Sequence, residues 1–170
     1  MKRLFLVRHA KASCDDPQLD DHERPLTNRG RKQADAMGPV LAAVGVLDGA
    51  VYASDAVRAR QTAEGLIRGA GRVSGKPPDG VPVHFCPELY TFDAGVLRSW
   101  LQHYPGDEDS LSIIGHNPAL LELAGSLLEQ PPAGLPTGSL IEIALPIKSW
   151  QELGQSKGKL ERFLTPKDVC

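Results

Sequence analysis

Leu4-Phe5-Leu6-Val7-Arg8-His9 is the stretch on which the reading of this 170-residue chain turns. A short unbroken apolar run reads as a strand buried on both faces, and this one ends abruptly on a cation and an imidazole. Three more runs have the same character: Ala50–Ala53, Val81–Phe85 and Leu111–Ile114. Helical periodicity fills the intervals. Ala34, Met37, Leu41 and Val44 share one helix face, with Thr27 as N-cap and Gly45 as stop. Ala59, Ala63, Leu66 and Ile67 mark a second helix, Val96, Leu97, Trp100 and Leu101 a third, and Leu120, Ala124, Leu127 and Leu128 a fourth. Strands alternating with helices predict an α/β fold: one three-layer domain over residues 1–170, its mostly parallel sheet flanked by helices on both faces. Leu140–Leu145 and Leu160–Leu164, joined by a turn around Gly154–Lys159, suit a hairpin at a sheet edge. Gly69–Gly80 and Gln130–Gly138 are rich in Pro and Gly and read as loops.

Composition narrows the function classes. Apolar residues make up 41% and charged residues 24%, globular values that exclude disordered and fibrous chains. A net charge of −2 argues against a nucleic-acid or membrane-surface binder, and no apolar run nears the ~18 residues of a membrane span. Leu4–Val7 is too short for the apolar core of a signal peptide, and no small-residue cleavage site follows. Cys14, Cys86 and Cys170 are odd in number and lack C-x-x-C spacing, which suits a reducing compartment. The expectation is a cytoplasmic protein, monomeric, without nucleic-acid or membrane partners.

In an open parallel sheet, ligands sit beyond the carboxyl ends of the strands. The residues that follow the four runs are Arg8 and His9; Ser54, Asp55 and Arg58; Cys86, Pro87 and Glu88; and Gly115, His116, Asn117 and Pro118. Two arginines, two histidines and a glutamate therefore converge on one edge. Guanidiniums match phosphate oxygens bidentately and stay charged at any working pH. Asn117 and Pro118 suit an N-cap and first turn, which would set His116 beside a helix N-terminus that also favours an anion. Arg58 and Arg60 lie about 200° apart on a helix. Arg60 has Glu64 as an i+4 partner, whereas Arg58 has no carboxylate on its own helix face and is the better phosphate ligand. A histidine kept neutral by nearby cations can attack phosphorus itself, and Glu88 is the candidate proton donor to the leaving group.

These residues carry a resemblance. V-R-H-A at 7–10, R-P-L-T-N-R-G at 24–30, S-D-A-V-R-A-R-Q-T at 54–62, P-E-L-Y at 87–90 and G-H-N-P at 115–118 resemble the histidine phosphatase superfamily, in its short phosphohistidine phosphatase branch of the SixA type. The likeness runs from about Leu4 to the closing F-L-T-P stretch. It implies a phosphoglycerate mutase-like fold and a phosphatase working through a phosphohistidine intermediate. In that pattern His9 accepts the phosphoryl group, Arg8, Arg58 and His116 hold its oxygens, Glu88 matches the general acid, and no metal or other cofactor is required. Two positions depart from the wider pattern: Ala10 replaces the glycine of R-H-G, and Ser13 stands where mutase-like relatives carry asparagine, which points away from a glycerate substrate. About 30 residues separate Arg58 from Glu88 and Glu88 from His116, room for one helix and one strand but no lid. An open cleft suits a phosphorylated protein, such as a phosphohistidine-bearing signalling domain, better than an enclosed metabolite.

Plainer readings stand beside these. A lone histidine is more often structural than catalytic; Arg8 has Asp15, Asp16 or Asp20 as surface partners; Glu88 suits a helix cap; Ser54 and Asp55 suit N-caps; Trp100 and Trp150 suit packing. Lys11, Ser13 and Arg24 lie near the site without an assigned role. Two other functions remain open, a small-molecule phosphomonoesterase and a non-catalytic phosphate- or phosphoprotein-binding module. A cysteine phosphatase is excluded, because the sixth residues after Cys14 and Cys86 are Asp20 and Phe92 rather than arginine. Asp107-Glu-Asp109 follows no strand, and Gly75-Lys76 lacks the rest of a phosphate-binding loop.

Overall fold

The computed structural model describes residues 1–74 and 81–169. Six strands form one sheet: β1 (Lys2–Arg8), β2 (Ala50–Ser54), β3 (Val83–Cys86), β4 (Ser110–Gly115), β5 (Leu140–Leu145) and β6 (Lys159–Leu164), in the spatial order β3-β2-β4-β1-β5-β6. The first four run parallel, β5 is antiparallel to β1, and β6 is antiparallel to β5, so the expected edge hairpin is present. The helices are α1 (Asn28–Ala43), α2 (Val57–Ser74), α3 (Ala94–Gln102) and α4 (Ala119–Leu127).

β1 lies inside the sheet, and Leu4, Phe5, Leu6 and Val7 are all fully buried. Their two-residue alternation feeds two cores. Leu4 and Leu6 pack with Leu97 and Leu101 of α3 and Leu120 and Leu127 of α4. Phe5 and Val7 point the other way, onto Met37 and Leu41 of α1 and Ala63 and Leu66 of α2. The result is the three-layer, mostly parallel architecture that the alternation of runs predicts. Truncating Leu6 to Ala would cost about 2–5 kcal/mol, since the close-packed surroundings relax only partly around the void.

α1 starts where Thr27 Oγ1 accepts the Gly30 amide at 2.9 Å, and it stops just before Gly45, whose φ is +101°. α1 and α2 meet at glycines. A Cβ on Gly69 would lie 2.0 Å from the Asp35 carbonyl oxygen, and one on Gly38 only 2.3 Å from that of Leu66. This contact corrects the loop reading of Gly69–Gly80: α2 continues to Ser74, because Gly69 is a packing residue rather than a breaker. The rest of that stretch, with Gly75-Lys76, lies outside the described residues. β3 begins at Val83, two residues later than the apolar run. The β5–β6 connection is also longer than the turn expected around Gly154. It carries a 3-10 turn at Trp150–Glu152, whose buried Trp150 donates from Nε1 to the Glu108 carbonyl at 2.9 Å. Trp100 is half-buried against Tyr52, with ring centroids 5.0 Å apart. Among the described residues, no helix is long and apolar enough to cross a membrane.

Candidate active site

Strand register builds the site. Arg8 pairs with Gly115 across β1 and β4, and Ala53 with Ile114 across β2 and β4. His9 and His116 are thus released from β1 and β4 at one level of one edge, beside Ser54, the last residue of β2. The His9 amide donates to the Gly115 carbonyl at 3.1 Å, and the two imidazole centroids stand 5.2 Å apart. The segment before β5 closes the edge, its Gly138 amide donating to the Arg8 and His9 carbonyls at 3.1 and 3.0 Å. Arg8 donates from a terminal nitrogen to the Leu135 carbonyl at 2.9 Å.

The state of His9 follows from one bond. Its Nδ1 lies 2.7 Å from the Ala10 carbonyl oxygen. A carbonyl only accepts, so Nδ1 carries the proton and Nε2 keeps its lone pair. Burial lowers the His9 pKa to about 4; the Ala10 contact opposes this, while the positive charges of Arg58, Arg8 and Arg24 add to it. His9 is therefore neutral at physiological pH, with a free nitrogen next to three guanidiniums.

His116 is 1% exposed and its Nε2 lies 2.8 Å from Ser54 Oγ. Burial first, then the adjacent His9 and Arg58, lowers its pKa to about 3, so it too is neutral. With the Ser54 hydroxyl as donor to Nε2, the proton of His116 sits on Nδ1, a buried atom without a hydrogen-bond partner. Arg8 Nε is likewise buried and unpartnered. Buried polar atoms are rarely left unpaired in folded proteins. Two unspent donors beside a free imidazole nitrogen describe a place for an anion.

Arg58 comes from the first turn of α2 and is 3% exposed. Thr62 ties that turn to the site, donating to the Arg58 carbonyl at 2.7 Å and accepting the Ala10 amide at 2.9 Å. No carboxylate neutralises Arg58 from its own helix, as expected, but one does from elsewhere. Asp21, in a 3-10 turn at Asp21–Glu23, accepts from Arg58 through its carbonyl and through Oδ2, and also accepts from Arg24 at 2.9 Å and from the Tyr90 hydroxyl at 2.5 Å. Desolvation works against ionisation there, but the hydrogen bonds from Tyr90, Arg58 and Arg24 hold the Asp21 carboxyl far below the usual carboxylate range. Tyr90 and Phe92 wall the notch, each with its ring centroid 5.4 Å from His116.

A family model described as histidine phosphatase superfamily (branch 1) matches residues 4–100. The chain belongs to this superfamily. A chloroplastic protein of Arabidopsis thaliana is 31% identical to it over 97% of this chain and 78% of that protein. The mitochondrial serine/threonine-protein phosphatase Pgam5 of Drosophila ananassae is 30% identical over 78% of this chain, which spans only 53% of that protein. Among solved structures, a SixA-type protein from Agrobacterium tumefaciens superposes with a TM-score of 0.76 at 23% identity, covering 97% of this chain and 98% of its own. The protein histidine phosphatase SixA complexed with tungstate gives 0.75 at 23%, covering 98% of both chains. At these identities the structural likeness is one of fold, the phosphoglycerate mutase-like three-layer arrangement.

The superfamily residues thus fall into two groups. Arg8, His9, Arg58 and His116 come together at one edge. Glu88 does not join them: it is exposed, and it lines a shallow groove with Asp93, Val96, Ser99 and Trp100. The 3-10 turn Pro87–Leu89 buries Leu89 and leaves Glu88, the candidate proton donor, exposed to solvent. Arg60 also differs from expectation. In place of Glu64 it donates to the Asp55 carbonyl at 3.0 Å and stacks 4.3 Å above the Phe85 ring. Asn117 precedes α4 and bonds the Leu121 amide at 3.3 Å and the Leu135 carbonyl at 3.1 Å, with Pro118 in the cap position. Asp21, Tyr90 and Phe92 were not legible as site residues, although Asp21 lies three residues before R-P-L-T, Tyr90 closes P-E-L-Y and Phe92 follows it by two. Among the described residues, no three His, Cys, Asp or Glu side chains cluster so as to hold a metal ion.

Proposed function

We propose that this protein is a metal-independent phosphatase that removes the phosphoryl group from phosphohistidine on a protein, with His9 as nucleophile and Arg8, Arg58 and His116 as phosphate ligands. The carrying observation is the His9–Ala10 bond, which leaves Nε2 its lone pair on a neutral ring within the electrostatic reach of Arg58, Arg8 and Arg24. In the first step Nε2 attacks phosphorus. The electron pair of the breaking P–N bond returns to the substrate imidazole, whose other ring nitrogen already carries a proton from solvent, so it leaves neutral. In the second step a water oxygen attacks phosphorus, the P–Nε2 pair returns to His9, inorganic phosphate leaves, and the water proton passes to solvent. Splitting one displacement into two in this way is nucleophilic catalysis, and the surrounding donors neutralise the phosphoryl charge throughout.

The choice of substrate rests on the leaving group. An alkoxide from a phosphoester needs a positioned acid, and Glu88 is exposed to solvent, without the desolvation that would keep it protonated. The ring of phosphohistidine takes a proton from solvent on its distal nitrogen and then departs as neutral imidazole without a positioned acid. The name of the protein histidine phosphatase SixA points the same way, and that of the serine/threonine-protein phosphatase Pgam5 supports a protein substrate without favouring phosphohistidine. A panel of phosphohistidine peptide, aryl phosphate and sugar phosphates, assayed with and without a chelator, tests the reading. It predicts phosphate release fastest from phosphohistidine and indifferent to the chelator. Turnover of sugar phosphates alone would replace it with a small-molecule phosphomonoesterase, and binding without release with a non-catalytic module.

A further inference from the structure

A second basic site lies on the same edge of the sheet. β6 runs in the direction of β1, so its carboxyl end, at Phe163 and Thr165, opens beside the carboxyl end of β1. A cavity of about 810 Å³ sits there, between the first turns of α1, residues 133–137 and the end of β6. Four cations border it: Lys11, Arg29, Lys32 and Lys167. No carboxylate lines it, and among the described residues none of the four cations forms an ion pair or a side-chain hydrogen bond. In a chain of net charge −2, that is a strong local asymmetry. The floor is apolar, from Phe163 and Pro166. The buried amide oxygen of Gln33, on the cavity wall, has no donor within the protein.

Continuity with the catalytic notch is covalent as well as spatial. Lys11 follows His9 by two residues, and the cavity wall includes Gly134 and Pro136, which flank Leu135, whose carbonyl accepts from Arg8 and Asn117. We propose that this cavity docks an acidic segment of the phosphoprotein substrate, close to its phosphorylated side chain. The inference rests on the phosphoprotein reading above and names the kind of protein it would take. Three features favour a polypeptide over a second phosphate group. Three of the four cations are lysines, which act as mobile point charges and lack the bidentate fork suited to phosphate. The apolar floor of Phe163 and Pro166 suits aliphatic stems and backbone, and the open mouth between α1 and the end of β6 leaves the four cations free to meet carboxylates along an extended segment. Such a surface acts mainly by steering and orienting its partner, so its loss shows in kcat/KM and in salt dependence.

The experiment compares two synthetic phosphohistidine peptides of equal length, one flanked by Asp and Glu, the other by Ser and Gly, with N-phosphoimidazole as the smallest substrate. Wild-type protein is expected to prefer the acidic peptide by about tenfold in kcat/KM at low salt, a preference that fades as NaCl rises toward about 0.5 M. The double variant K32E/K167E should lose that preference while keeping wild-type rates on N-phosphoimidazole. Equal rates of the wild type on both peptides, or a variant that loses all three substrates alike, would overturn the docking proposal. If the wild type turns over none of them, the phosphatase reading itself fails. Docking is then decided by anisotropy with the labelled acidic peptide lacking phosphate, where binding weakened about tenfold by K32E/K167E supports it, and equal binding, or binding matched by inorganic polyphosphate, contradicts it.

Discussion

Asp21 meets Arg58 twice, with its carbonyl oxygen 2.6 Å from one terminal guanidinium nitrogen and its Oδ2 2.8 Å from the other. The carboxylate also takes a bond from Arg24, so one side chain on a short 3-10 turn engages two of the cations nearest His9. An incoming phosphoryl group must share Arg58 with it. The Asp21 side chain is 43% exposed and can yield, whereas that of Arg58 is buried and cannot. Asp21→Asn is therefore expected to tighten vanadate inhibition several-fold, because a negative charge leaves the anion site, and to lower the melting temperature by a few degrees, because a buried guanidinium loses its charged partner. Weaker vanadate inhibition would show instead that Asp21 holds Arg58 in its binding orientation.

Protonation of the two site histidines is separable from that of His22. Hydrogen bonds to Asp55 and Glu23 raise the His22 pKa, whereas burial lowers His9 to about 4 and His116 to about 3. In imidazole NMR titrations His22 should titrate above the ordinary value of 6.5, while His9 and His116 stay neutral through pH 5. The sign for stability follows. The folded state resists protonating His9 and His116, so their contribution is fully present above about pH 6.5 and is lost as pH falls toward 4 and below, at about 1.4 kcal/mol per unit for each. Titration of either site histidine near 6.5 would remove the case for a pre-neutralised nucleophile.

Ser54 carries His116. Ser54→Ala leaves Nε2 buried without its partner, an expected cost of about 1–3 kcal/mol in denaturant-measured stability. The same change should reduce kcat about tenfold through misorientation of the Nδ1 donor, with the loss smaller in Ser54→Thr, which keeps the hydroxyl. Equal stability of Ser54→Ala and wild type would mean that the hydroxyl does not hold the ring.

Glu88→Gln serves as the control for leaving-group chemistry. Its exposure to solvent predicts rates on phosphohistidine peptide within about twofold of wild type. A hundredfold loss would restore Glu88 as the acid and require the 3-10 turn that carries it to move on binding.

Fold and site were not equally legible. The buried runs, their order and the helices between them follow from hydrophobic periodicity, which is why the three layers and the edge hairpin could be read from residues alone. Arg8, His9, Arg58 and His116 were legible because a parallel sheet delivers strand ends to one place, whatever the packing details. Glu88 obeyed the same positional rule but not its consequence, since a single 3-10 turn after a strand redirects a side chain and leaves no periodic trace. Asp21 was hidden for a different reason: its partner Arg58 lies 37 residues away, and ion pairs across such distances carry no local pattern. Gly69 misled because Pro/Gly content signals a loop, while close helix contact uses glycine for its missing side chain.

The central claim, that His9 Nε2 becomes covalently phosphorylated, is tested most directly by rapid quench with a ³²P-labelled phosphohistidine peptide. The account predicts a phosphoenzyme that is stable in alkali, lost in acid, and absent from His9→Ala together with turnover. A labelled protein of the same yield in His9→Ala, or an acid-stable label in the wild type, would contradict it.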